Sequence, residues 1–98
     1  VTRQITLRPQ FEIDVAEAAS WYEGQRAGLG KEFLRCVDES VDAIAALPLG
    51  FRKVHKETRR IPVGRFPYGL LYRVTEDEIV LTACMHSRRH SQHWLGRR

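Results

Sequence analysis

The apolar positions of this chain change period near its middle. Gln4 to Arg8 alternates polar and apolar residues and halts at Pro9, which reads as a short strand. Phe11, Val15, Ala18 and Tyr22 then recur at i, i+4, i+7 and i+11, the spacing of one helix face. Ala16, Ala18 and Ala19 add helix propensity, and Gly28 is a natural stop. After Gly28-Leu29-Gly30 a second stripe of Phe33, Val37, Val41 and Ile44 follows, flanked by Leu34 and Leu47 and ended by Pro48 and Gly50. So short a connection folds the two helices back as an antiparallel hairpin. Trp21 and Tyr22 are read first as core aromatics and second as partner-facing ones.

From Phe51 onward the pattern is that of strands. Phe51 to His55 and Thr58 to Val63 are short runs, and Pro62 confines the latter to a sheet edge or marks its end. Tyr68 to Val74 and Ile79 to Met85 are the clearest, separated by the acidic turn Glu76-Asp77. With those two residues as the loop, Val74 lies opposite Ile79, Tyr72 opposite Leu81, Leu70 opposite Ala83 and Tyr68 opposite Met85. All eight then share the face beneath the helices. The other face receives Arg73 beside Val80, Leu71 beside Thr82, Gly69 beside Cys84 and Pro67 beside His86. That surface is mixed, small and basic rather than a second core. Glu76-Asp77 lacks the glycine that a two-residue hairpin prefers, but a longer loop of the same parity preserves the faces. The expected architecture is α+β. An N-terminal strand precedes an antiparallel helical hairpin packed on a small, mainly antiparallel sheet, in the order β-α-α-β-β-β, as one domain over residues 1–98.

Composition narrows the class. A chain of 98 residues has room for a single core and buries about 60–65% of its unfolded surface. Hydrophobic residues at 43% and charged residues at 29% are those of a globular domain, not a disordered tail. No apolar run approaches the length of a membrane span. Val-Thr-Arg-Gln-Ile at the start carries no apolar signal core, so a cytoplasmic location is expected. Cys36 and Cys84 stand far apart with no paired-cysteine motif, which disfavours a disulfide scaffold and a four-ligand zinc site.

The net charge of +4 conceals an asymmetry. Residues 1–50 carry −3, residues 51–73 carry +6, residues 74–85 carry −3 and residues 86–98 carry +4. Eleven of the sixteen basic residues therefore lie in the second half, most of them arginines suited to bidentate recognition of phosphate or carboxylate. Such a half implies a face that meets an anionic partner; a merely solvated basic surface is the plainer reading.

Candidate chemistry is sparse. His86, His90 and His93 have helical ligand spacing, but no carboxylate or cysteine completes a set, and the arginine-rich segment repels a divalent cation. No metal or other cofactor is expected. Cys84 and His86 fall on one strand face about 6–7 Å apart, long for a thiolate–imidazole pair. The arginines are the better constellation. Arg73 and His86 lie on the exposed face in the proposed register, with Arg60, Arg65, Arg88 and Arg89 at strand ends or in adjoining loops. This set can either hold a phosphodiester while His86 moves a proton or dock an acidic peptide without chemistry.

The order of elements resembles the RelE/ParE superfamily of type II toxin–antitoxin toxins. The matching stretches are Glu17-Ala18-Ala19-Ser20-Trp21-Tyr22-Glu23, Gly28-Leu29-Gly30-Lys31-Glu32-Phe33, Arg59-Arg60, Phe66-Pro67-Tyr68-Gly69-Leu70-Leu71-Tyr72-Arg73-Val74 and His86-Ser87-Arg88-Arg89. The resemblance implies a growth-inhibiting toxin of the plasmid-stabilisation kind, in a hetero-oligomer with a cognate antitoxin. The antitoxin's flexible segment commonly covers the groove between helices and sheet. It also implies one of two targets. RelE-like members cut ribosome-bound messenger RNA without metal, through attack by the 2′-hydroxyl. ParE-like members lack that catalytic set and poison DNA gyrase.

Carried over residue by residue, the ribonuclease set is incomplete. Arg60 matches a basic residue on the strand before the tyrosine-rich one, but Pro62 stands where its companion charge is expected. Gly69 replaces the arginine after the first tyrosine of the next strand and leaves a gap on the open face. Arg89 matches the arginine after the last strand, with Arg88 beside it; the tail tyrosine is absent, and Trp94 nearby has no titratable group. His86-Ser87-Arg88-Arg89 is closer to the His-x-Arg ending of ParE-like members. The expectation is therefore a ParE-like, non-hydrolytic gyrase poison, with Arg59, Arg65, Arg73, Arg88 and Trp94 as binding residues. The alternative is a RelE-like ribonuclease in which His86, Arg60 and Arg89 are catalytic and Arg65 or Arg73 replaces the missing arginine.

Overall fold

The computed structural model describes residues 3–88. Pro9 ends strand β1 (Gln4–Leu7) and opens helix α1 (Pro9–Gln25), where its missing N–H costs nothing at the first helical turn. Helix α2 (Leu29–Ala46) follows at once. The turn is held by Glu23, whose carboxylate accepts the backbone N–H groups of Gly28 and Gly30 at 3.0–3.1 Å. One acidic side chain of α1 thus satisfies the orphan donors at the start of α2. Gly28 sits at φ +90, a left-handed position natural to glycine, and a Cβ at Gly30 would run into the Ala19 carbonyl. These contacts explain why the Gly28-Leu29-Gly30 turn makes a tight antiparallel hairpin.

Four strands follow: β2 (Lys53–His55), β3 (Thr58–Val63), β4 (Phe66–Val74) and β5 (Glu78–His86). The sheet order is β1-β5-β4-β3-β2, antiparallel except for the β1–β5 pair. The short β2 lies within the expected Phe51 to His55 run and forms an edge of the sheet. It pairs with Thr58 and Arg59 only, so β3 is interior to the sheet while Pro62 lies beyond the reach of β2. The proline therefore marks the strand's end, the second of the two expected placements. At the β4–β5 turn, Thr75 supplies what the missing glycine does not. Its N–H donates to the Glu78 carbonyl and its hydroxyl accepts the Glu78 N–H, closing the two-residue loop Glu76-Asp77.

The helices cover one face of the sheet. Phe33, Ile44, Leu70, Tyr72, Ile79 and Leu81 are fully buried between the layers. The Tyr72 hydroxyl donates to the Pro48 carbonyl, and the Ser40 hydroxyl donates to the Pro62 carbonyl, so both of these hydroxyls are paired. Leu34 and Leu47 remain exposed at the margins of the α2 stripe. Trp21, read as core, is 59% exposed, while its neighbour Tyr22 packs on Phe33 and Phe66. Adjacent helical residues point about 100° apart, so Trp21 is turned away from the α1 face that carries Tyr22.

The register agrees with expectation for half of the β4–β5 hairpin and then departs from it. Val74↔Ile79, Arg73↔Val80 and Tyr72↔Leu81 pair as expected, but the next pair is Leu71↔Ala83, then Leu70↔Cys84, Gly69↔Met85 and Tyr68↔His86. Thr82 is the extra residue of a β-bulge, and its hydroxyl donates to the Leu71 carbonyl at 3.2 Å. Beyond it every side chain of β5 is on the opposite face from the one expected. Cys84 and His86 move to the helix side, while Ala83 and Met85 join Leu71 and Val54 in a second small buried cluster. The face away from the helices is accordingly more apolar than a mixed basic surface.

Leu81 has no exposed surface, so Leu81→Asp buries an unpaired carboxylate. The variant is expected to lose several kcal/mol, enough to unfold a domain whose total stability is about 5–15 kcal/mol. Thermal denaturation followed by circular dichroism checks this, and a cooperative melt near the parent temperature would contradict the layer assignment.

Candidate functional site

The strand alternation distributes the basic residues to different places. Arg60 (opposite Leu71) and Arg73 (opposite Val80) share the face away from the helices, as diagonal neighbours across Leu71. The Arg60 guanidinium lies over Gly69, where any Cβ would meet it. The glycine that replaces the expected arginine is therefore no gap, because a guanidinium from the adjacent strand fills the space. Arg60 reaches away from Arg73, which lies on the other side of Leu71, so the two charges splay rather than converge. The Arg73 Nε is buried without a hydrogen-bond partner.

Arg59 faces the helix side instead. It donates to the Phe51 carbonyl at 2.7 Å and the Leu49 carbonyl at 3.3 Å, pinning the loop after α2. Burial pushes the Tyr72 phenol up from its ordinary range, while the nearby Arg59 charge draws it down. Arg65 is exposed in the β3–β4 turn, on a cleft shared with Arg26, Arg35 and Glu32. Arg26 belongs to no sequence motif that would mark it. Arg88 is exposed after β5, and Arg89, Trp94, His90 and His93 lie outside the described residues.

His86 is separated from Arg60 and Arg73 by the sheet itself. The bulge at Thr82 turns it toward α1, where its ring meets Tyr68 edge-on with centroids 5.2 Å apart. Its Nδ1 accepts the Arg88 N–H at 3.1 Å, so in the neutral ring the proton is on Nε2. His86 and Cys84 do share a face, and both line a cleft of about 530 Å³ with Asp14, Glu17, Trp21 and Tyr68. The thiol is no nucleophile. Burial first, and then the negative charge of Asp14, push it up to about 12, which keeps it protonated at neutral pH. The Cys84 N–H donates to Asp14 Oδ2 at 3.0 Å, tying α1 to β5. Asp14, Glu17 and Trp21 were legible as an i, i+3, i+7 row of α1, yet without the wall opposite them the row had no meaning.

A third feature is an apolar groove of about 830 Å³ between edge strand β1 and the helical hairpin. Ile5, Leu7 and Leu34 are 37%, 42% and 42% exposed along it. Phe11, Val15 and Val41 form more of its lining, with Glu12, Asp38 and Asp42 among its polar residues.

Comparison with known proteins bears on the fold and on the family. No curated protein matches the sequence. A solved structure described as "Chromosomal ParDE TA system from P. aeruginosa" shares the fold, with a TM-score of 0.77 at 13% identity, over 87% of this chain and 96% of that one. A family model described as "ParE toxin of type II toxin-antitoxin system, parDE" matches residues 5–90. That match takes in β1, both helices and the whole sheet, and the chain therefore belongs to the ParE toxin family of type II toxin–antitoxin systems.

Proposed function

We propose that the chain is a growth-inhibiting toxin restrained by a cognate antitoxin, and that it acts by binding DNA gyrase rather than by cutting RNA. The observation that carries the choice of target is the separation of His86 from Arg60 and Arg73. Metal-free cleavage of a phosphodiester needs a proton-transfer group and cationic stabilisers within hydrogen-bond reach of one phosphate. Here the only histidine of the proposed set lies under α1, while Arg60 and Arg73 occupy the other face of the sheet. Gly69 and Pro62 contribute no charge between them. Arginines spread in this way suit docking, in which each guanidinium meets its own carboxylate or phosphate.

The antitoxin is proposed to fill the apolar groove beside β1. Exposed Ile5, Leu7 and Leu34 form a continuous patch on a highly charged chain, as a partner-binding surface does. A flexible antitoxin segment can set its apolar side chains into the groove while its acidic residues reach the arginine-bearing half. Cytoplasmic action on either partner fits this reading.

Two outcomes test it. Pulse labelling after induction of the chain alone in bacteria is expected to show early loss of DNA synthesis with translation intact. Early loss of protein synthesis, with messenger RNA cut at discrete sites, would instead indicate a ribonuclease centred on His86, Arg60 and Arg89. Leu34→Asp, at an exposed position, is expected to leave the fold intact and to weaken antitoxin binding about tenfold or more. Unchanged affinity in calorimetry would remove the groove from the interface.

A further inference from the structure

The cleft between the helical turn and the β3–β4 turn brings together two cations that the fold leaves uncommitted. It has a volume of about 480 Å³, with Arg26 entering from the end of α1 and Arg65 from the strand turn. Both backbones are fixed. The Arg26 N–H donates to the Tyr22 carbonyl at 3.2 Å, and the Arg26 carbonyl accepts the Leu29 N–H at 3.0 Å. Beside Arg65, Gly64 sits at φ +52, so close to α2 that an added Cβ would lie 2.7 Å from the Cys36 sulfur. Both arginine side chains are exposed, and neither forms an ion pair or a hydrogen bond among the described residues.

The third arginine of the cleft is already engaged. Arg35 holds Glu39 at 2.6 Å and Glu32 at 3.6 Å, its neighbours one turn to either side on α2. Much of the remaining lining is apolar, with Tyr22 and Phe66 in ring contact at 4.7 Å beside Leu29 and Pro67. Two uncommitted guanidiniums repel a cation and attract an anion. A nucleic-acid strand brings one phosphate after another, and the phosphates next to a bound one would come against Glu32 and Glu39. A single carboxylate avoids that repulsion, and an apolar residue next to it can cover Tyr22 and Phe66.

We propose that this cleft is a receptor for one acidic side chain of a protein partner. The carboxylate of an aspartate or glutamate is held between Arg26 and Arg65, and an adjoining apolar residue rests on Tyr22 and Phe66. Arginine suits both positions because its planar fork meets two carboxylate oxygens at once. Only the name of the partner rests on the toxin–antitoxin reading, since the receptor itself is a property of the cleft.

A peptide probe separates the two. Titration of the full chain with the capped tripeptide Leu-Glu-Leu is followed by nitrogen–proton correlation NMR at the backbone amides of Leu29, Gly64 and Arg65. The expected result is a saturable shift, absent with capped Leu-Gln-Leu, which keeps the shape and lacks the charge. Arg26→Gln and Arg65→Gln are each expected to weaken binding several-fold. Neither changes the melting temperature, because neither side chain has a described partner to lose. Glu39→Gln is expected to strengthen binding, since it removes a negative charge from the cleft and frees one side of Arg35. No saturable shift with Leu-Glu-Leu, or an equal shift with both peptides, would overturn the proposal. So would a shift unchanged in both arginine variants. A shift produced by a thymidine dinucleotide but not by Leu-Glu-Leu would overturn it too, because the ligand would then be a phosphodiester. Failure of gyrase or antitoxin binding would leave the peptide result untouched.

Discussion

Thr82 is one residue too many for the strand beside it, and that surplus sets which side of the sheet the end of β5 faces. A strand must alternate its side chains, so an added residue cannot be absorbed locally without inverting everything after it. The Thr82 hydroxyl bonds to the Leu71 carbonyl and steadies the irregularity. The consequence is a division of labour between two surfaces. Cys84 and His86 are drawn under α1, where Asp14 receives a backbone N–H of β5, and the arginines of β3 and β4 are left on the far side.

The helical hairpin depends on a similarly small set of contacts. Glu23 closes the turn by capping α2 from α1, and Gly30 permits the close approach of the two helices. The hairpin then lies over the sheet as one body. Its margins form the walls of both the apolar groove beside β1 and the aromatic cleft beside His86. The two surfaces differ in chemistry: the groove is apolar with acidic neighbours, and the cleft is aromatic and acidic. The arginine face of the sheet offers a third, cationic surface.

Much of this was readable along the chain, and the exceptions have physical causes. Phe33, Val37 and Ile44 declare α2 by their spacing, and Leu70, Tyr72, Ile79 and Leu81 declare the layer beneath it. The bulge was not readable because every residue from Ile79 to Met85 is buried. When both faces of a strand are covered, either parity is equally apolar and hydropathy carries no record of a slip. The partner of Gly69 was hidden for another reason, since it depends on the β3–β4 register that sets Arg60 beside it. Arg59 and Arg60 are neighbours in sequence and so face opposite ways, one tying a loop and one facing outward; a count of charges treats them alike. Trp21 misled because aromatics usually go inside, and its exposure becomes intelligible only with the cleft it helps to line.

The placement of His86 on the helix side, away from Arg60 and Arg73, is the point on which the account turns. Proton–proton nuclear Overhauser spectroscopy of the labelled protein measures it directly. The account predicts cross-strand contacts between Leu71 and Ala83, and ring contacts from His86 to Tyr68, whose centroids are 5.2 Å apart. Contacts from the His86 ring to the side chains of Arg60 or Arg73, with Leu70 opposite Ala83, would contradict it and restore a single basic site.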